Sequence, residues 1–183
     1  MEHPGLAALA RIMSPERGAD EEVDWAAAEA RWAVRFPADY KAFMALYGSG
    51  SINGQAFVLL PLPEEGMSGG GDLEEETENA RFGWEAEGGR AALDVDPARI
   101  LAWGVTAGAD ILCWLTDDGD PDRWPVLVLG RHTTPAFVLH PFGMVEFLRR
   151  IVQEDFDGWE SWPISIAGEL WDCSPPTFVH WRA

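Results

Sequence analysis

Residues 36–54 read FPADYKAFMALYGSGSING and carry the strongest structural signal in the chain. Their apolar members recur at the i, i+3, i+4, i+7 spacing of a helix with one buried face: Tyr40, Phe43, Met44 and Tyr47. Pro37 suits the first turn of this helix, because an N–H at that position would have no intrahelical partner. Gly48 suits the position just after the last turn, where a left-handed backbone is common. The string therefore predicts a helix that begins near Pro37 and ends at Gly48, followed by a turn-rich loop to Gly54.

A second helix is predicted immediately before this string. Its apolar residues share one face at helical spacing: Trp25, Ala28, Trp32 and Phe36. Asp24 is the candidate N-cap, because an aspartate side chain can accept a hydrogen bond from a free N–H of the first turn. Beyond the loop, residues 55–60 form an apolar run that prolines end, which indicates a strand in the core.

These strings resemble the SUKH superfamily, the cell-wall-assembly-regulator-like proteins of the Smi/Knr type. The first block of the resemblance consists of the helix at 25–32, FPADYK at 36–41 and YGSG at 47–50. The second block consists of ILAWG at 100–104, DILCW at 110–114 and WPVLV at 124–128. The resemblance covers roughly residues 5–152, and it departs at Ala109, where the family more often has glycine. It implies a binding protein without a catalytic centre, since bacterial members look like immunity proteins that neutralise secreted polymorphic toxins.

The remaining sequence predicts an α+β fold. Apolar stripes predict helices over 5–13 and 142–152, and a further helix over 73–81 begins after Asp72, the first residue of a capping-box-like pattern. Four short runs bounded by glycine, proline and aspartate predict strands: 99–103, 110–116, 125–129 and 136–139. This order predicts a SUKH-like single domain over residues 1–154, with helices packed against one mostly antiparallel sheet.

A Trp-rich C-terminal extension over residues 155–183 is expected to pack on the same domain. Its tryptophans are Trp159, Trp162, Trp171 and Trp181. Such aromatic density favours burial over a disordered tail. We expect a structural role for this extension, with a separate binding surface as the alternative.

Composition limits the classes of protein to which the chain can belong. A length of 183 residues with 47% hydrophobic content supports one substantial core. The formal net charge of −18 argues against nucleic-acid binding, which needs a basic patch, and against docking to an anionic membrane. The N-terminus lacks the basic start and long apolar stretch of a signal peptide, and no run is long enough for a membrane helix. A cytoplasmic location is therefore expected.

No motif predicts a catalytic, cofactor or metal site. The glycine-rich run at 48–54 follows a helix and lacks the G-x-G-x-x-G spacing of a phosphate loop. The run DDGDPD at 117–122 resembles a calcium loop, but Arg123 replaces the required glycine and Leu129 the required glutamate. Cys113 lies in an apolar run and is expected to be a buried free thiol. A hydrolase that uses two carboxylates remains open, because so acidic a chain offers many pairs.

Two acidic clusters form the candidate partner-binding surface, in segments predicted to be loops or an exposed helix face. The candidate residues are Glu64, Glu65, Asp72, Glu74, Glu75, Glu76, Glu78, Asp117, Asp118, Asp120 and Asp122, with Trp84 as an aromatic anchor. Clustered carboxylates would steer a cationic partner to this surface. The alternative is that they form only a solvated face.

We therefore predict a non-catalytic immunity protein that binds and neutralises a cognate secreted toxin domain, which we expect to be basic. The sequence leaves open an intracellular regulatory or scaffold domain of the cell-wall-regulator type, whose protein partners need not be basic. Ionic strength separates the two, because steering by a charge of −18 weakens as salt rises.

Overall fold

The computed structural model describes residues 4–15, 22–62, 72–89, 93–131, 133–155 and 175–181. Within these ranges there are five α-helices: α1 (Pro4–Ile12), α2 (Trp25–Trp32), α3 (Ala38–Leu46), α4 (Leu73–Ala86) and α5 (Met144–Gln153). The same ranges contain seven strands: β1 (Gly50–Ile52), β2 (Ala56–Val58), β3 (Ile100–Thr106), β4 (Ile111–Leu115), β5 (Val126–Leu129), β6 (Phe137–His140) and β7 (Phe178–His180). The predicted α+β fold is confirmed.

All seven strands form one antiparallel sheet in the order β6-β5-β4-β3-β2-β1-β7. Side chains alternate across β4, so that Leu112 and Trp114 join one core while Cys113 and Leu115 join another. The first, larger core is closed by α1, α2, α3 and α5, whereas the second lies under α4. Among the described α-helices, α4 is therefore the only one that packs mainly on the second face of the sheet.

Cys113 is a buried free thiol, as the sequence predicts. Burial raises the pKa of this thiol, and the nearby charge of Glu76 adds to the effect. The thiol is therefore protonated and packed as an apolar group in the core under α4. Cys173 lies outside the described residues.

Helices α2 and α3 follow the sequence prediction at the start of α2 and at the end of α3. Asp24 accepts a hydrogen bond from the N–H of Ala27 at 3.0 Å, and Gly48 has the left-handed φ of 71° expected after α3. The placement of Phe36 on α2 is wrong, because Ala33 turns left-handed at φ 53° and ends that helix first. Phe36 still packs where an apolar residue is required, with its ring 5.7 Å from that of Tyr40.

The predicted loop at 48–54 contains β1, and this expectation is corrected. Gly50 pairs with both β2 and β7, and a Cβ there would lie 2.3 Å from the carbonyl oxygen of Val179. Gly50 is therefore needed because the backbone of β7 comes close to it, and not for a turn. A strand of three residues between glycines carries too little hydrophobic periodicity to be recognised in the sequence.

The end of the described chain belongs to the sheet. Strand β7 pairs with β1, and the ring of Trp181 stacks on that of Phe57 with 6.5 Å between centroids. Three of the four tryptophans of the extension lie outside the described residues: Trp159, Trp162 and Trp171. The packing of the extension as a whole stays a prediction.

A tight turn joins β3 to β4 and has an alanine, Ala109, at its left-handed position. Ala109 has φ 63°, a left-handed conformation in which a Cβ is strained. Asp110 follows with a fully buried carboxylate, which accepts hydrogen bonds from Thr106 Oγ1 and from the N–H of Arg131, both at 2.9 Å. The turn thus keeps the glycine-type backbone despite the alanine.

We expect Ala109→Gly to raise the free energy of unfolding by about 0.5–1 kcal/mol. Relief of left-handed strain contributes about 1–2 kcal/mol, and the added freedom of glycine in the unfolded chain removes part of it. Urea denaturation of the two proteins measures the difference. Ala107→Gly in the same turn is the control, and we expect it to lower the free energy of unfolding. A loss of stability in both variants would contradict the claim that Ala109 is strained.

Candidate partner interface

Helix α4 carries most of the first acidic cluster and is fixed to the sheet by its opposite side. It begins after Asp72, whose Oδ1 accepts a hydrogen bond from the N–H of Glu75 at 2.7 Å, as predicted. Thr77 Oγ1 accepts a hydrogen bond from the N–H of Ala102 in β3 at 3.0 Å. The buried side of the helix consists of Leu73, Thr77, Ala80 and Trp84. This attachment sets which side chains of α4 face solvent.

The exposed side of α4 surrounds one aromatic ring with carboxylates. We call it the α4 ridge: Glu75, Glu78, Phe82 and Glu85. At 3.6 residues per turn, Phe82 lies directly opposite the buried side, and the three glutamates flank it. Phe82 is 74% exposed. Within the described part of the chain, no hydrogen bond or ion pair engages the three carboxylates.

Trp84 requires a correction, because it cannot be the exposed anchor that the sequence suggested. It is 1% exposed and packs against Phe137, with 4.6 Å between ring centroids. The backbone at Gly89 closes over the ring so tightly that a Cβ there would lie 2.4 Å from it. Trp84 is therefore the central aromatic of the core under α4.

The aromatic residue that the sequence reasoning missed is Phe82. The predicted helix stopped at Arg81, so neither Phe82 nor Trp84 was assigned a helical face. The helix continues to Ala86, and two positions separated by 200° then point in nearly opposite directions. Extending the periodicity by one turn would have placed Trp84 with Thr77 and Ala80, and Phe82 with the glutamates.

Two other glutamates of α4 already have intramolecular roles. Glu74 forms an ion pair with Arg31 of α2. Glu76 is half-buried, and burial raises the pKa of its carboxyl group, although the hydrogen bond from Asn79 acts in the opposite direction. These two side chains are therefore less available to a partner than those of the α4 ridge.

The second acidic cluster, the loop at 117–122, is organised by its own carboxylates. Asp118 accepts a hydrogen bond from the N–H of Asp120 at 2.9 Å, and Asp120 accepts one from the N–H of Asp122 at 3.2 Å. Asp122 accepts a hydrogen bond from the N–H of Ala38 at 2.6 Å, at the beginning of α3. Three aspartates thus serve turn geometry and helix capping, and Asp117 remains exposed.

Arginines lie beside both clusters and keep them from forming one uninterrupted acidic surface. Arg31 pairs with Glu74, and Arg35 donates a hydrogen bond to the carbonyl of Gly119 at 3.4 Å. A cleft of about 580 Å³ between α2 and the loop is lined by side chains of both signs, including Glu29 and Arg99. The strongest single-sign charge is therefore on α4, where residues 72–89 contain seven acidic side chains and one basic side chain.

A groove of about 490 Å³ runs beside α4 on the side that leads to β4, β5 and β6. Its apolar part includes Ile111, Leu129 and Phe137. Asn79 and Gly83 of α4 line it one turn apart, and Glu87, the first residue after the helix, follows them. Gly83 has no side chain to fill the space, and a Cβ there would lie 3.2 Å from Leu129 Cδ2. The α4 ridge thus has an open, partly apolar depression along one flank.

Metal ligation finds no support in the part of the chain that the structure describes. No three histidine, cysteine, aspartate or glutamate side chains come together there in a way that could hold an ion. None of the described helices has the length and hydropathy needed to cross a membrane.

Glu64 and Glu65, the first candidates of the acidic surface, lie outside the described residues.

Residues 22–138 match the sequence profile of the SUKH_6 family, described as SMI1-KNR4 cell-wall. The chain belongs to this SUKH family. The predicted resemblance is thereby confirmed over well over half of the sequence. No curated protein and no solved structure matches the chain.

The SUKH match extends from the residues before α2 into β6, so it contains both acidic clusters and the whole α4 ridge. Strand β7, which completes the sheet beside β1, lies beyond the matched residues. The exposed surface of α4 in this SUKH chain therefore lies within the residues that match the family.

Proposed function

We propose that this SUKH chain is an immunity protein that binds a secreted toxin domain stoichiometrically and blocks its active surface. The observation that carries the proposal is the α4 ridge, where three carboxylates that no other described residue engages surround an exposed aromatic ring on a helix attached to the sheet. Family membership and the net charge of −18 support the same reading.

The proposed mechanism is occlusion without a chemical reaction. A toxin domain that acts on nucleic acid has a basic surface for phosphates, and the glutamates of α4 would occupy the positions of those phosphates. Complementary charge increases the rate of association and favours the correct partner. Burial of apolar groups at the centre of the contact would then slow dissociation.

Co-expression with toxin domains encoded next to the gene of this chain tests this proposal. We expect growth to be restored by the wild-type chain, and the purified proteins to form a complex that titrates with one chain per toxin domain. Affinity should fall as salt rises from about 50 to 500 mM, because screening shortens the range of the electrostatic attraction.

Three outcomes would contradict the proposal. The lack of a neighbouring toxin gene together with no toxin neutralised, or continued toxicity without a complex, would remove the immunity role. Inactivation of the toxin by far less than one equivalent of the chain would indicate catalysis. Tight binding that salt leaves unchanged would favour the regulatory or scaffold type of domain, whose partners need no basic surface.

A further inference from the structure

We infer that the α4 ridge and the groove beside it form one docking surface, whose occupant is a basic protein surface that places an apolar recess over Phe82 and an apolar side chain in the groove. This inference rests on the proposed function and assigns it a location and a partner chemistry. It also separates α4 from the loop at 117–122, which the sequence had treated as an equal candidate.

Phe82 marks the centre of the docking surface. Its ring is 74% exposed, and the other exposed large apolar residues of the described chain are Leu139 and Val179, at 38% and 52%, on opposite edge strands. An aromatic ring at the middle of a contact area provides a large rigid surface that a partner can cover. Phe82 makes no contribution to the core under α4, so folding does not explain its side chain.

Charge determines the kind of partner. Glu75, Glu78 and Glu85 flank the ring on the same side of the helix, and none is engaged within the described chain. A partner that covers Phe82 must bring lysine or arginine to these carboxylates, since burying them unpaired is costly. Arginine fits best, because its planar group can pair with a carboxylate and also stack on the aromatic ring.

The groove gives the contact a second attachment point. The groove lies next to Phe82 on α4, because the following residue, Gly83, is part of its lining. Gly83 has no side chain, so the groove stays open toward Leu129. Its volume of about 490 Å³ accommodates a large apolar side chain. Thr134 in its lining supplies a hydroxyl group that can bind a polar atom of the same partner segment, whereas Thr133 Oγ1 already donates a hydrogen bond to the carbonyl of Pro135 at 3.1 Å.

The helix is already held in the orientation that binding requires. Arg81 donates hydrogen bonds to the carbonyl oxygens of Ile100 and Ala98, both at 3.1 Å, and Thr77 bonds to the backbone of β3. Docking therefore orders few groups beyond the side chains of the ridge, which favours affinity. The aspartates of the 117–122 loop have fewer acceptor sites left for a partner, because three of them already accept backbone hydrogen bonds.

Binding kinetics with the toxin domain that co-expression identifies test the docking surface. We expect Phe82→Ala to raise Kd about 30-fold, mainly through faster dissociation. Glu75→Lys combined with Glu78→Lys should lower the association rate about tenfold at about 50 mM salt, with a smaller effect at high salt. All variants are first compared with the wild-type chain by thermal melting.

Matched controls separate the ridge from general effects. Val179→Ala removes an exposed apolar group from β7, and Glu22→Lys with Glu154→Lys changes the net charge by the same amount away from α4. Both controls should bind within about threefold of the wild-type chain.

The outcomes distinguish this inference from the proposed function. Wild-type neutralisation together with unchanged binding by the Phe82 and α4 charge variants overturns the docking surface and leaves the immunity role intact. Equal losses in the ridge variants and their controls also overturn it, since the location would then be irrelevant. Failure of the wild-type chain to bind overturns the proposed function and the docking surface together.

Discussion

Trp84→Ala is expected to lower the free energy of unfolding by about 3–5 kcal/mol, because it removes a large buried aromatic and leaves a cavity. Trp84 is 1% exposed and lies in the core under α4 with Phe137, Leu129 and Cys113. Loss of its ring also removes the group that packs under the backbone at Gly89. Urea denaturation followed by far-UV circular dichroism measures this change.

Phe82→Ala provides the matched comparison from two positions away on the same helix. Because the ring of Phe82 is largely in solvent, its removal should change the free energy of unfolding by no more than about 0.5 kcal/mol. The stability of the Phe82 variant also allows its binding to be interpreted without a folding defect. A large loss of stability in Phe82→Ala together with a small loss in Trp84→Ala would contradict the assignment of Trp84 to the buried face of α4 and of Phe82 to the exposed face.

The second large effect is expected at the turn between β3 and β4, where Asp110→Ala should lower the free energy of unfolding by about 2–4 kcal/mol. The Asp110 carboxylate is fully buried and accepts hydrogen bonds from Thr106 Oγ1 and the N–H of Arg131. Its removal leaves these donors without their acceptor, and each unsatisfied buried group costs about 1–3 kcal/mol. Thermal and urea denaturation both report the loss.

Asp117→Ala is the control for this aspartate, since Asp117 is exposed and close in sequence. It should leave the free energy of unfolding within about 0.5 kcal/mol of the wild-type value. Asp110→Asn should fall between the two, because an amide retains one of the two acceptor oxygens. Equal stability of the alanine variants at 110 and 117 would contradict the structural role of the turn.

Local signals in the sequence predicted local structure well. Asp24 and Asp72 cap their helices, and Gly48 ends α3, because each of these features depends on neighbours within four residues. The strands from β3 to β6 were found for the same reason, since short apolar runs lie between turn residues.

Features that depend on distant residues were not predictable from one sequence. Asp39 accepts a hydrogen bond from the N–H of Val145 at 3.0 Å and so caps α5 from α3, a contact between residues 106 positions apart. Strand β1 exists because β2 and β7 pair with it from both sides. The roles of Phe82 and Trp84 depended on the last turn of α4, and helix ends are the least certain part of such predictions.

A titration of toxin activity tests the central claim most directly. The toxin domain identified by co-expression is mixed with increasing amounts of the wild-type chain or of a variant that combines Glu75→Lys, Glu78→Lys and Phe82→Ala. At a toxin concentration between the Kd values of the two chains, we predict inhibition of most of the toxin by one equivalent of the wild-type chain. At the same ratio we predict an almost fully active toxin with the variant, whose thermal unfolding is first shown to match the wild type. Complete inhibition by the folded variant at one equivalent would contradict the claim that the α4 ridge binds the toxin.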